Sequence, residues 1–228
     1  DEVDMAQLVA CAPEKPEVMR KDIEVTIDTF QSDGLKKIVR EMLRLTGDKL
    51  EWFPAAQRLH HAERSGLLHH TTSMLNLARH VVAAYPFLNA ELLYAGVILH
   101  DLCKTTEMIS DETGSVSDYS ADGLLIGHLV RGVARIEEAA KNVGVSGEIV
   151  LLLEHMVLSH HSIPEYGSPK APMFPEAEVL ARIDDLDAKM NEMQGILSRV
   201  PEGAFSEKVW SLDRRIYHPK YQEIDGAE

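Results

Sequence analysis

Leu92-Leu93-Tyr94-Ala95-Gly96-Val97-Ile98-Leu99-His100-Asp101 is an apolar run that ends on two strongly polar residues. Asn89 stands ahead of it as a helix cap, so the run is expected to be a helix. His and Asp at the end of an apolar helix need a partner if they are buried. Neighbouring helical residues point about 100° apart, yet both can grip one cation lying over the helix end. A carboxylate has two oxygens and can bridge two cations, whereas a neutral imidazole offers one nitrogen. Taken alone, the pair favours a plainer reading, a capping His and an Asp salt-bridged to Lys104.

The rest of the chain changes those odds. Ten of its 11 histidines lie between His60 and His161, with doublets at His60-His61, His69-His70 and His160-His161. Helical spacing places them. A helix over about 33–46, capped by Ser32 or Asp33, carries Leu35, Ile38, Val39, Met42 and Leu43, and Gly47 ends it. His70 opens a helix running to Ala84, before Pro86. His128 lies within a helix expected over about 121–142. His160-His161 closes one over about 146–159, ahead of a proline-rich loop at 162–175. Asp184 and Asp187 share a face of the last long helix, about 176–198. A short helix near Phe205–Trp210 is a further expectation, and 109–118 reads as a polar turn. No set of alternating strands stands out, so the fold class is all-α, a bundle of six or seven helices.

Composition bounds the function. With 45% apolar and 26% charged residues the chain is too apolar to be disordered and too charged to live in a membrane. No apolar run approaches the roughly 20 residues of a bilayer span, and the acidic start lacks the form of a signal peptide. Cys11 and Cys103 make no disulfide framework and fit a reducing cytoplasm. The net charge of −14 argues against a free-standing nucleic-acid binder, although bound cations can reverse the local field. Histidines with carboxylates and no paired cysteines suit Mn²⁺, Fe or Zn²⁺.

The order His … His-Asp … His … His-His … Asp resembles the HD-domain metal-dependent phosphohydrolase superfamily. Five stretches are similar to the YhaM-type 3′→5′ exoribonuclease family: residues 60–70, 92–104, 154–161, 165–173 and 183–190. The loop Glu165-Tyr166-Gly167-Ser168-Pro169-Lys170-Ala171-Pro172-Met173 is the most family-specific of them. The resemblance implies an HD domain over 33–217, behind an acidic linker or lead-in (1–32) and followed by a tail (218–228). It implies one cation on His70, His100, Asp101 and Asp184, and a second sharing Asp101 and taking His128, His160 and His161. One or two divalent ions per chain are therefore expected. Asp101 and Lys104 become the catalytic candidates, Lys104 as a contact to phosphate, while His61, at the pocket mouth, and Asp187 are candidates for substrate and proton handling, the alternative for Asp187 being a salt bridge within its own helix.

Two departures accompany the resemblance. Family members carry an N-terminal OB-fold domain that binds single strands, and no five-stranded pattern occurs here. Cys103 also replaces a small residue. The implied activity is metal-dependent phosphodiester hydrolysis, 3′→5′ on single-stranded RNA. Alternatives are an HD phosphohydrolase for a small nucleotide or cyclic dinucleotide, and a non-catalytic metal-binding module. The sequence is compatible with a homo-oligomer.

Overall fold

The structure, a computed structural model, describes residues 9–57 and 61–221. His60 and residues 222–228 of the expected tail lie outside them.

The bundle is arranged around one central helix. The helices are α1 (Pro16–Asp28), α2 (Asp33–Thr46), α3 (Gly66–Ala84), α4 (Ala90–Leu99), α5 (Lys104–Glu107), α6 (Ala121–Leu125), α7 (Gly127–Val143), α8 (Glu148–Ser159) and α9 (Pro175–Leu197). Helix α4 is apolar on every side, and such a helix belongs in the interior. Leu92, Leu93, Ala95, Val97, Ile98 and Leu99 are all buried, with α2, α3, α8 and α9 packed around them. The amphipathic helices turn one stripe inward: Leu35, Ile38, Val39, Met42 and Leu43 from α2, and Met74, Leu75 and Ala78 from α3. The expected caps form, since Ser32 Oγ accepts from Leu35 N and Asn89 Oδ1 from Leu92 N. No helix among the described residues is long and apolar enough to cross a membrane.

The all-α class holds, with four local differences. Residues 16–28, read as part of a lead-in, form α1, whose Met19, Ile23 and Ile27 are fully buried in the common core; that core therefore begins ahead of Asp33. The single helix expected over 121–142 is two, because Gly127 adopts φ +76°, a left-handed conformation that breaks the helix and that glycine takes without strain. The polar turn at 109–118 is the tip of a small antiparallel hairpin, β1 (Met108–Ser110) with β2 (Val116–Tyr119). Phe205–Trp210 is not helical. Phe205 bridges Tyr217 and Val209 bridges Arg214 across a tight turn, so pairing with the following segment wins over a helix of marginal length.

Candidate metal centre

Four helices deliver imidazoles to Asp101. His100 ends α4, His160 follows α8, His128 lies in the first turn of α7, and His70 is the fifth residue of α3. Each ring is anchored through Nδ1. His100 Nδ1 is 2.8 Å from Val97 O, and His160 Nδ1 is 2.8 Å from Val157 O. His128 Nδ1 lies 3.0 and 2.9 Å from the two Glu107 oxygens, and His70 Nδ1 is 2.8 Å from Asp187 Oδ2. Carbonyl and carboxylate oxygens only accept, so each Nδ1 carries the hydrogen and each Nε2 faces the centre. That is how metal-ligating histidines are held.

The Asp101 oxygens face two different groups. Oδ2 lies 3.3 Å from His100 Nε2, 3.8 Å from His70 Nε2 and 2.6 Å from Lys104 Nζ. Asp184 Oδ1 joins this group, 3.1 Å from His70 Nε2 and 4.0 Å from His100 Nε2. Oδ1 lies 3.4 Å from His128 Nε2 and 3.6 Å from His160 Nε2. His161 extends this second side: its ring centroid is 4.3 Å from that of His160 and 5.2 Å from that of His128. Its backbone N–H donates to the buried Ser168 Oγ at 3.1 Å, which ties the proline-rich loop to the site.

The donor set fits a cation. Asp101 Oδ1, His128 Nε2 and His160 Nε2 are buried and without a hydrogen-bond partner. Each such atom costs about 1–3 kcal/mol, and all three are lone-pair donors converging on one space. His70, His100 and Asp101 also lie within mutual reach of an ion, as do His128, His160 and His161.

Electrostatics prepares the donors. Burial pushes the His160 imidazole down to about 3, against a smaller opposing effect of Asp101, and so keeps it neutral. Burial disfavours the charged form of Asp101, but Lys104 and His100 hold the carboxyl well below the usual range. Burial also opposes ionisation of Asp184, and His70 and His100 overcome it, leaving a carboxylate. His70 is the exception among the imidazoles. Burial would lower it, yet hydrogen bonds to Asp184 and Asp187 raise it to about 9. Without a cation this ring therefore carries two protons at neutral pH.

Seven of the ten expected site residues come together around Asp101: His70, His100, Asp101, His128, His160, His161 and Asp184. The other three adjoin it. Lys104, expected at a phosphate, reaches back to Asp101 Oδ2. His61, expected at the pocket mouth, and Asp187, expected to handle a proton, are buried at 3% and 6% exposure. His61 Nε2 and Asp187 Oδ2 face each other at 2.8 Å. Asp187 bonds across to α3, through His70 and Ser73 Oγ, and makes no salt bridge within its own helix. Three contributors were missed: Glu107, Ser73 and Ser168. Ser73 stands one turn from His70, a spacing that could have flagged it; nothing in the pattern marks Glu107.

The profile of the HD domain matches residues 67–189. The chain is 43% identical over 226 residues to the 3′-5′ exoribonuclease YhaM of Geobacillus sp. (strain WCH70), covering 98% of this chain and 68% of that protein. It is 40% identical over 225 residues to the YhaM of Halalkalibacterium halodurans, with 98% and 69% covered. It is 41% identical over 224 residues to that of Listeria monocytogenes serovar 1/2a, with 97% and 70% covered. No solved structure matches the chain.

Proposed function

Because the chain belongs to the HD-domain family, alongside the YhaM exoribonucleases, we propose that it shortens single-stranded RNA from the 3′ end by divalent-metal-dependent hydrolysis. The observation that carries this reading is the Asp101 carboxylate, whose two oxygens face two separate groups of donors. On this reading His70, His100, Asp101 and Asp184 hold one ion, and Asp101, His128, His160 and His161 a second. Nitrogen and carboxylate donors without sulfur suit Mn²⁺ or Fe as well as Zn²⁺. When bound, such ions polarise a phosphoryl oxygen and supply an activated water.

The protein's own groups do the rest. Val97 O and Val157 O fix the His100 and His160 rings, while Glu107 and Asp187 fix His128 and His70, so the donors are preorganised. Lys104 keeps a positive charge beside Asp101, where the charge of a scissile phosphate has to be balanced. The described cysteines are both free thiols, in keeping with a reducing, cytoplasmic setting as part of the proposal.

The net charge of −14 favours a second reading, a small nucleotide or cyclic dinucleotide as substrate, since long RNA is repelled. Purified protein with Mn²⁺, given 5′-labelled single-stranded RNA, should produce a ladder shortening from the 3′ end. Cleavage of cyclic dinucleotides with RNA left intact establishes the second reading instead. An Asp101→Ala protein with full activity overturns both.

A further inference from the structure

A second cluster of donors lies outside the Asp101 centre, on the turn that leads into α3. His61 Nδ1 is 3.1 Å from His69 Nδ1. His69 Nδ1 is 2.8 Å from Glu63 Oε1, and His61 Nδ1 is 3.9 Å from that same oxygen. Three atoms with these separations share a point about 2.0 Å from each, the distance at which zinc takes imidazole nitrogen and carboxylate oxygen. His69 Nδ1 faces both the His61 nitrogen and the Glu63 oxygen, and the Asn191 amide lies 3.4 Å from His61 Nδ1.

The surroundings aim these donors. Asp187 Oδ2, 2.8 Å from His61 Nε2, takes the hydrogen of that nitrogen and leaves Nδ1 turned to His69. A carboxylate behind an imidazole is the support that metal-ligating histidines use. The His61 backbone is held at φ +48°, a conformation that a non-glycine residue keeps only where its neighbours enforce it. Asn191 Oδ1 enforces it here by accepting from His61 N at 2.9 Å. His61 is buried, whereas Glu63 and His69 are half-buried, so an ion can enter from solvent.

We propose that His61 Nδ1, Glu63 Oε1 and His69 Nδ1 form a cation site separate from the Asp101 centre, suited to Zn²⁺ with solvent completing its shell. Two nitrogens and one carboxylate oxygen are a donor set that zinc accepts. The ion would pin the 61–69 turn. It would also brace the Asp187 carboxylate, because Oδ2 is shared by His61 Nε2 and His70 Nδ1. The two sites are thus joined through one oxygen without sharing a ligand.

The test counts ions and needs no substrate. The full chain is stripped with chelator, dialysed against Zn²⁺ and analysed for metal per folded chain. Glu63→Gln and His69→Ala should each carry one ion fewer than the unaltered chain. Asp101→Ala, which empties the Asp101 centre, should still hold the ion at His61, and its Co²⁺ form should lose visible absorbance on adding Glu63→Gln. Helicity by circular dichroism confirms folding. Glu63→Gln nearly preserves shape and decides the matter if His69→Ala is unfolded. Equal ion counts in the unaltered and Glu63→Gln chains overturn the proposal.

Discussion

Asp187 Oδ2 accepts from His70 Nδ1 at 2.8 Å, so a residue on α9 sets which nitrogen of an α3 histidine faces the metal centre. Ser73 Oγ holds the other Asp187 oxygen, which keeps the carboxylate from turning away. Support of this kind is worth about 10–100-fold in metal affinity. Asp187→Asn should therefore weaken cation binding at the His70 side by about that factor while leaving the helical content intact. Titration with a competing chelator checks it; an unchanged affinity would mean that His70 is held by packing alone.

The protonation of His70 makes cation binding depend on pH. Its folded-state pKa is about 9 against an ordinary 6.5, so metal-free protein gains stability that is fully present below pH 6.5 and is lost as pH rises through 9. The melting temperature of metal-free protein should accordingly fall between pH 6.5 and 9.5, by an amount equivalent to of order 3 kcal/mol. A cation has to displace that proton, so apparent affinity for the His70 side should rise about tenfold per pH unit up to about pH 9. His160, pushed down to about 3 by burial, is already neutral across this window and adds no slope. A flat affinity profile from pH 7 to 9 would refute the assignment.

Lys104 and Asp101 form a nearly buried ion pair at 2.6 Å. Removing one partner of such a pair leaves the other charge unpaired and costs about 3–5 kcal/mol. Lys104→Met should destabilise metal-free protein by about that much. Divalent cation should restore part of the loss, because an ion takes over the neutralisation of Asp101 and stabilises the state it binds. Thermal melts with and without Mn²⁺ measure both effects. Equal stability of the two metal-free proteins would show that Lys104 is not what keeps Asp101 ionised.

The parts of the centre that could be read from sequence were those carried by helical spacing. Helix α4 announces itself, because an apolar run ending in His100-Asp101 must be buried and must find partners for two polar groups. Asp184 and Asp187 are legible as one face of α9, but spacing does not tell a residue aimed at the cations from one aimed at a ligand's far nitrogen. Their roles differ only because α3 places His70 between them, and its Nε2 and Nδ1 point to opposite sides. Glu107 was illegible for a different reason: α5 is a single turn with no periodicity, and Glu107 meets His128 through the break at Gly127. The β1–β2 hairpin is hard to read because its strands have only three and four residues and are interrupted by a register shift at Ile109/Ser110. Met108, Val116 and Tyr119 pack against the core, but runs this short carry too few alternations to announce a strand.

Two glycine substitutions should have opposite signs. A Cβ on Gly66 would lie 1.9 Å from His61 O and 3.2 Å from Ala55 N. Both are backbone atoms, which cannot rotate aside as a side-chain tip can. Gly66→Ala must therefore push back the turn that carries His61 and the start of the helix that carries His70, and overpacking of this kind costs about 1–3 kcal/mol. Gly195, inside α9, has nothing within 4 Å of its would-be Cβ. Gly195→Ala there only removes backbone freedom from the unfolded chain and should stabilise by about 0.5–1 kcal/mol. Chemical denaturation of the two variants gives both values under one condition. The prediction for Gly66 also reaches the metal: because its clash displaces His61 and His70 together, cation affinity should fall with stability, whereas Gly195→Ala should leave affinity unchanged. A Gly66→Ala protein with undiminished stability would mean that the 61–66 turn relaxes without cost, and the positioning ascribed to it would have to be abandoned.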